Sequence, residues 1–154
     1  MPTALRSSPW LKLQAYLLRR LDALQRVSIP AHLATGLRGE REALFQLRQR
    51  GYTVVARRWK DAKLRGDVDL VAWDGDALCF VEVKTRTGRD RLSPAQAAVD
   101  DAKRRMLRPL ARAYLRRFPE KLRRSVRVRF DVMAVYLAGT SVEFELHQGA
   151  FGWE

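Results

Sequence analysis

Between residues 67 and 85 apolar and polar positions alternate with a period of two, the mark of strands that bury one face. Val68, Leu70 and Ala72 interleave with Asp67, Asp69 and Val71, and Cys79, Val81 and Val83 interleave with Phe80, Glu82 and Lys84. Asp74-Gly75-Asp76 supplies a DG-type turn between them, so the pattern predicts a hairpin of strands over 67–73 and 78–85. Similar patterning predicts strands over 52–59, 126–137 and 142–147, the last after a Gly139-Thr140 turn. Apolar residues at three- and four-residue steps predict helices in three places. Trp10, Leu13, Leu17, Leu21 and Leu24 mark one over 10–27. Ala43, Leu44 and Leu47 mark a second over 38–50, stopped by Gly51. A third, over 93–117, opens on the capping box Ser93-Pro94-Ala95-Gln96 and carries a stripe of Val99, Ala102, Met106, Leu110 and Tyr114. Pro109 is expected to kink or interrupt it. Residues 28–37, with Pro30 and Gly36, read as a linker, 60–65 as a charged loop and 85–92 as a basic loop.

Two charges break the hairpin's apolar run. Glu82 and Lys84 share a strand face, and the hairpin brings Asp69 towards both. Charged side chains enter buried strands when they are paired or bind a metal. One reading is a Glu–Lys pair on a solvated sheet face. The other is a divalent-metal site, with Asp69 and Glu82 as oxygen ligands for a hard cation and Lys84 beside the metal-bound water. Glu40 lies three and four residues before Ala43 and Leu44, so it shares their stripe and looks towards the sheet. Its other reading is an acid favoured by the helix dipole. Glu42 lies off the stripe and is expected in solvent. Lys103 sits on or at the rim of its helix's stripe, a position that suits a snorkelling lysine.

Composition sharpens the choice of partner. With 30 basic and 17 acidic residues the chain carries +13, which points to nucleic acid first and an anionic membrane surface second. A lineage bias towards arginine would also make it basic. The excess concentrates between Lys103 and Arg129, where Glu120 is the only acid, and arginine suits bidentate phosphate contact. Arg86 and Arg89 stand near the open end of the hairpin. At 154 residues the chain is long enough for one domain with a real core. Cys79 is the only cysteine, so no intramolecular disulfide forms, which fits a reducing cytoplasm. No run nears the ~18 apolar residues that span a bilayer, so stable membrane insertion is not expected. A basic amphipathic helix over 10–27 leaves open an adaptor at the membrane face. His32 and His147, far apart and without a second cysteine, argue against zinc.

Asp69 followed by Glu82-Val83-Lys84 resembles the D…(D/E)xK signature of the PD-(D/E)XK nuclease superfamily. The longer string GDVDLVAWDG…LCFVEVKTR, preceded by Arg38-Gly39-Glu40…Ala43 and Gly51-Tyr52, is similar to the YraN family of small bacterial proteins. That family is similar in motif to archaeal Holliday-junction resolvases. The resemblance runs from about residue 39 to residue 135. It implies an α/β fold: a restriction-endonuclease-like αβββαβ core with a mixed central sheet flanked by helices. The nuclease-like domain would span 38–154, with a tail, an extra helix and a linker over 1–37. It also implies Mg²⁺- or Mn²⁺-dependent hydrolysis of DNA phosphodiesters, on branched or structured DNA. Asp69, Glu82 and the Val83 carbonyl would hold the metal, Glu40 would add a third acid, and Lys84 would position the attacking water. Arg86, Arg89, Lys103, Arg104 and Arg108 would contact nucleic acid, Lys103 matching a family lysine. Asp67 stands where the family usually has Glu, and Asp131 matches a family RFDV pattern, read here as structural. Junction cleavage needs two sites and hence a homodimer, which the apolar chain ends permit. The competing reading is a non-catalytic nucleic-acid-binding module on the same fold.

Overall fold

The computed structural model describes residues 13–14, 16–17, 19–20, 30–87 and 100–154. Its elements are α1 (Ala31–Gln49), β1 (Thr53–Trp59), β2 (Val68–Asp74), β3 (Ala77–Thr87), α2 (Asp101–Leu115), α3 (Glu120–Ser125), β4 (Arg127–Ala138) and β5 (Ser141–Phe151). The strands form one five-stranded sheet in the order β1-β2-β3-β4-β5. Neighbours are antiparallel except β3 and β4, which run parallel. Adjacent parallel strands need a long crossover, and here the connection contains α2. The sheet is therefore mixed, as expected.

Helices α1 and α2 each cover one sheet face. Ala43, Leu44 and Leu47 of α1 pack with Leu70, Ala72, Cys79, Val81, Met133 and Val135. Leu107, Leu110, Ala111 and Tyr114 of α2 pack with Val71, Leu78, Phe80 and Phe130. The alternation in β3 thus reaches both helices. The hairpin turn tightens to Gly75-Asp76, with Asp74 opposite Ala77 and Gly75 at φ 59°, a conformation open to glycine. Phe151 stacks on Phe130 at 4.7 Å and Trp153 meets the same ring edge-on at 4.9 Å, so the terminal apolar hook closes on the chain's own core. Asp131 is fully buried, held by the Arg129 guanidinium at 2.8 and 2.9 Å and by the Gly149 N–H at 2.9 Å. Arg129 also donates to Asp74 and to the Tyr52 hydroxyl. Asp131 is structural.

Several sequence expectations change. The second helix begins at Ala31, not residue 38, so most of the expected linker is helical. Pro30, which breaks a helix interior, stands just ahead of the first turn, where its missing N–H costs little. Glu42 is 2% exposed, not solvated, because Arg19 donates to both its carboxylate oxygens. The helix expected from residue 93 to 117 is not continuous: Asp100 is extended and caps α2 by accepting the Lys103 N–H at 2.8 Å. Its buried stripe is Leu107, Leu110, Ala111 and Tyr114, while Ala102 is exposed. Pro109 lies inside α2 without ending it, and the carbonyl left unpaired belongs to exposed Arg105. Strand β3 runs on to Thr87 and β5 to Phe151, beyond their expected ends. The Ser93 helix start, Arg89 and most of the 10–27 helix lie outside the described residues, although Leu13, Gln14, Tyr16, Leu17, Arg19 and Arg20 are helical. Among the described residues no helix is long and apolar enough to cross a membrane.

Phe130 joins β4, α2 and the C-terminal hook and is 2% exposed. Phe130→Ala is expected to lower unfolding stability by about 3–5 kcal/mol, measured by urea denaturation.

Candidate active site

The site forms where two strands part. The β2–β3 ladder ends at Leu70 and Val81, whereas β3 stays paired with β4 as far as Thr87 opposite Leu137. β2 remains bound to β1 down to Val68, opposite Trp59. A backbone donor left at such a fork needs an acceptor. Asp69 supplies it: its Oδ2 accepts the Val83 N–H at 2.7 Å. The carboxylate is thereby fixed beside the Glu82-Val83-Lys84 segment.

Glu82 is 3% exposed and bears a charge on each side. Its Oε1 lies 3.1 Å from Lys84 Nζ, and its Oε2 lies 2.9 Å from Lys103 Nζ. Burial alone would lower the Lys103 pKa, but the negative charge of Glu82 and its hydrogen bond outweigh that and raise it. Asp69 is pushed up to about 7, first by burial and then by the neighbouring charge of Glu82. The Val83 N–H and Lys103 only partly oppose this. Glu40 is also raised, by burial and by Asp67 and Glu82, with Arg58 acting against the shift. Arg58 Nε lies 3.8 Å from both Glu40 and Asp67, so Asp67 is drawn to an arginine at the rim. Arg58 itself has φ 45°, which is uncommon for a residue with a side chain.

A cavity of about 430 Å³ opens at the fork, lined by Glu40, Asp69, Glu82 and Val83, together with His32, Thr35, Gly36, Thr85 and Thr87. Four elements thus contribute: α1 gives Glu40, β2 gives Asp69, β3 gives Glu82 and Lys84, and α2 gives Lys103. Glu40 reaches the site because α1 packs closely on β3. A Cβ on Gly39 would fall 1.7 Å from Thr85 Oγ1, so only glycine permits that approach.

The expectation of three acids around one cation needs correction. Among the described residues, no group of three or more His, Cys, Asp or Glu side chains is gathered into a ready ion cage. Asp69 and Glu82 face each other across the fork, while Glu40 pairs with Arg58 across the cavity. The expected nucleic-acid contacts also divide. Lys103 turns to Glu82, and Arg86 follows Glu82 and Lys84 on one strand face. Arg104 and Arg108 lie over the Phe151 ring, at 5.7 and 5.9 Å, and Arg108 Nε donates to the Gly152 carbonyl at 2.9 Å. The arginines of 103–129 are therefore not one free phosphate-facing surface. Arg129 is internal, Arg127 pairs with Asp76, and Arg124 pairs with Glu120.

Sequence reasoning missed the direct Lys103–Glu82 pair, the Arg58 clasp and the lining by His32, Thr35 and Gly36. Lys103 stands one helical turn before buried Leu107, a spacing that did signal an inward direction. The lining residues gave no apolar signal.

The model of the uncharacterised protein family UPF0102 matches residues 39–135. A UPF0102 protein of Koribacter versatilis is 46% identical over 134 residues, covering 86% of this chain and 90% of its own. One from Solibacter usitatus is 43% identical over 135 residues, covering 88% and 97%. One from Porphyromonas gingivalis is 39% identical over 122 residues, covering 78% and 85%.

A carboxyl whose folded pKa lies above its unfolded value loses stability as pH rises between the two. For Asp69 that window runs from its ordinary value of 3.8 to about 7. Without divalent metal, Asp69→Asn is expected to be more stable than the parent above pH 7, by at most about 4 kcal/mol, with the gap closing towards pH 4. Thermal melts across that range check it, and a gap independent of pH would refute the assignment.

Proposed function

The chain belongs to the UPF0102 family, and we propose that it is a metal-dependent endonuclease on a restriction-endonuclease-like core, cutting DNA phosphodiesters. The observation that carries this reading is the fork. Asp69 and Glu82 are brought face to face there with Lys84 and Lys103 beside them, and Asp69 remains so poorly compensated that its proton is held up to about 7. A buried carboxylate whose proton affinity is raised by burial and by a second carboxylate beside it suits a hard cation. The donors suited to Mg²⁺ or Mn²⁺ are the oxygens of Asp69 and Glu82 and the carbonyl of Val83, the residue after Glu82.

A bound cation supplies Lewis acidity and offsets charge at the scissile phosphate. The chain's own groups do the rest. Asp69, deprotonated in the loaded state, and Glu82 orient the donor oxygens. Lys84 holds the attacking water next to Glu82 and favours its loss of a proton. Lys103 keeps Glu82 in place and faces the charge that builds on the phosphate oxygens. Water adds its hydroxyl to phosphorus as the P–O bond breaks, and the departing oxygen takes up a proton. Arg86 continues the basic strand face beyond Lys84 and suits a neighbouring phosphate. Branched or structured DNA and a two-fold dimer are the substrate and assembly that this reading favours.

A second reading has its own support. Both Glu82 oxygens already face lysines and Glu40 faces Arg58, an arrangement that suits a nucleic-acid-binding module without catalysis.

A cleavage panel of junction, flap, single-stranded and duplex DNA in Mg²⁺ and Mn²⁺ separates the two. Asp69→Ala and Lys84→Ala are each expected to lower cleavage about 100-fold or more while retaining DNA binding. Cleavage by both variants at the parent's rate refutes the mechanism. Salt-sensitive binding with no cleavage by the parent in any metal favours the second reading. Mg²⁺ or Ca²⁺ is also expected to raise the melting temperature of the parent and not of Asp69→Ala.

A further inference from the structure

We propose that the N-terminal half of α1 is a nucleoside-binding wall, which takes an unstacked nucleotide next to the phosphate held at the acidic pair. This rests on the nuclease reading and adds to it a substrate class and a set of residues. His32, Thr35, Gly36, Gly39 and Glu40 recur at three- and four-residue steps, so they share one face of the helix. Ala43, Leu44 and Leu47 continue that face over the sheet as apolar core. The same face therefore changes character along its length. Its C-terminal half packs, and its N-terminal half lines the cavity with an imidazole, a hydroxyl and a bare backbone.

Gly36 is the telling residue. Glycine inside a helix is disfavoured, and packing can justify it, as at Gly39. At Gly36 packing gives no such reason: an added Cβ would meet nothing within 4 Å. The omitted side chain leaves clearance on the cavity side, where a ligand can approach the helix backbone closely.

The chemistry of the wall names the ligand. Thr35 donates its hydroxyl proton to the Ala31 carbonyl at 2.9 Å, which leaves its oxygen free to accept. Thr85 and Thr87 add hydroxyls on the β3 side. Apart from Glu40 at its inner end, this half of the cavity offers hydrogen bonds without fixed charge. The other half holds Asp69 and Glu82, with Lys84 and Lys103 behind Glu82. With a cation held between it and the acidic pair, a molecule anionic at one end and neutral, ring-shaped and hydrogen-bonding at the other fits both halves, and a nucleotide has that form. The cavity's volume of about 430 Å³ lies within the range of small-ligand pockets. A base stacked in a duplex cannot enter such a recess, whereas an unpaired one can.

The test is fluorescence anisotropy with one labelled oligonucleotide, presented single-stranded and as a duplex, in Ca²⁺. Gly36→Leu puts a side chain into the clearance, and its melting temperature is expected to equal or exceed the parent's. Its affinity for the single strand is expected to fall about tenfold or more, with duplex affinity held within about twofold. His32→Ala combined with Thr35→Val removes the wall's polar groups without filling it and is expected to act in the same direction. Failure of the parent to bind the single strand, unchanged single-strand affinity in both variants, or an equal loss for the two DNA forms would overturn the proposal. Absence of cleavage by the parent in Mg²⁺ or Mn²⁺ would count against the nuclease reading alone, because the affinity difference is read without turnover.

Discussion

Where β2 separates from β3, the Val83 N–H is satisfied by a carboxylate instead of a strand, and the candidate site depends on that substitution. A buried donor left unpaired costs about 1–3 kcal/mol. An acceptor at position 69 therefore stabilises the fork. In doing so Asp69 accepts a position that raises its own proton affinity. One side chain thus fills the fork, anchors the Glu82-Val83-Lys84 segment and holds its proton up to about 7. Structural and chemical roles meet in the same oxygen atoms, so the effects of removing them will be coupled.

The basic excess has two destinations. Part of it is spent inside the fold. Arg129 binds Asp131 and Asp74, Arg19 binds buried Glu42, and Arg104, Arg108 and Arg112 lie over the aromatic rings of Phe151 and Trp153. Cations over ring faces gain modest stabilisation and lose freedom of movement. The lysines at the fork behave differently. Lys84 and Lys103 are compact charges on flexible stems, and both turn to Glu82. Net charge by itself does not distinguish these uses, because it counts an arginine stacked on phenylalanine and a lysine at the fork alike.

Helix α1 changes character along one face. Over the sheet it needs volume, and Ala43, Leu44 and Leu47 provide it. Nearer its start it leaves space on the cavity side, at Gly36. Gly39 lies between the two regimes, where contact with Thr85 sets the height of the helix above β3 and so the reach of Glu40.

The hairpin, the pairing of Asp69 with the Glu82–Lys84 segment and the strand-rich order of the fold were legible in the sequence. Period-two alternation and a DG turn are local signals that survive without tertiary context. Family membership was legible for the same reason: the motif is a continuous string. The helical start at Ala31, the burial of Glu42 and the break before α2 were not. Each depends on a partner distant in the chain or on a cap that composition does not reveal. Glu42 needed Arg19, 23 positions away, to become a buried charge. The approach of Lys103 to Glu82 and of Arg58 to Glu40 likewise required α2 and β1 to be set against β3. Residue order therefore marked the candidate groups. Only packing decided which of them meet, because ion pairs and cavities are set by distances through space that no spacing along the chain contains.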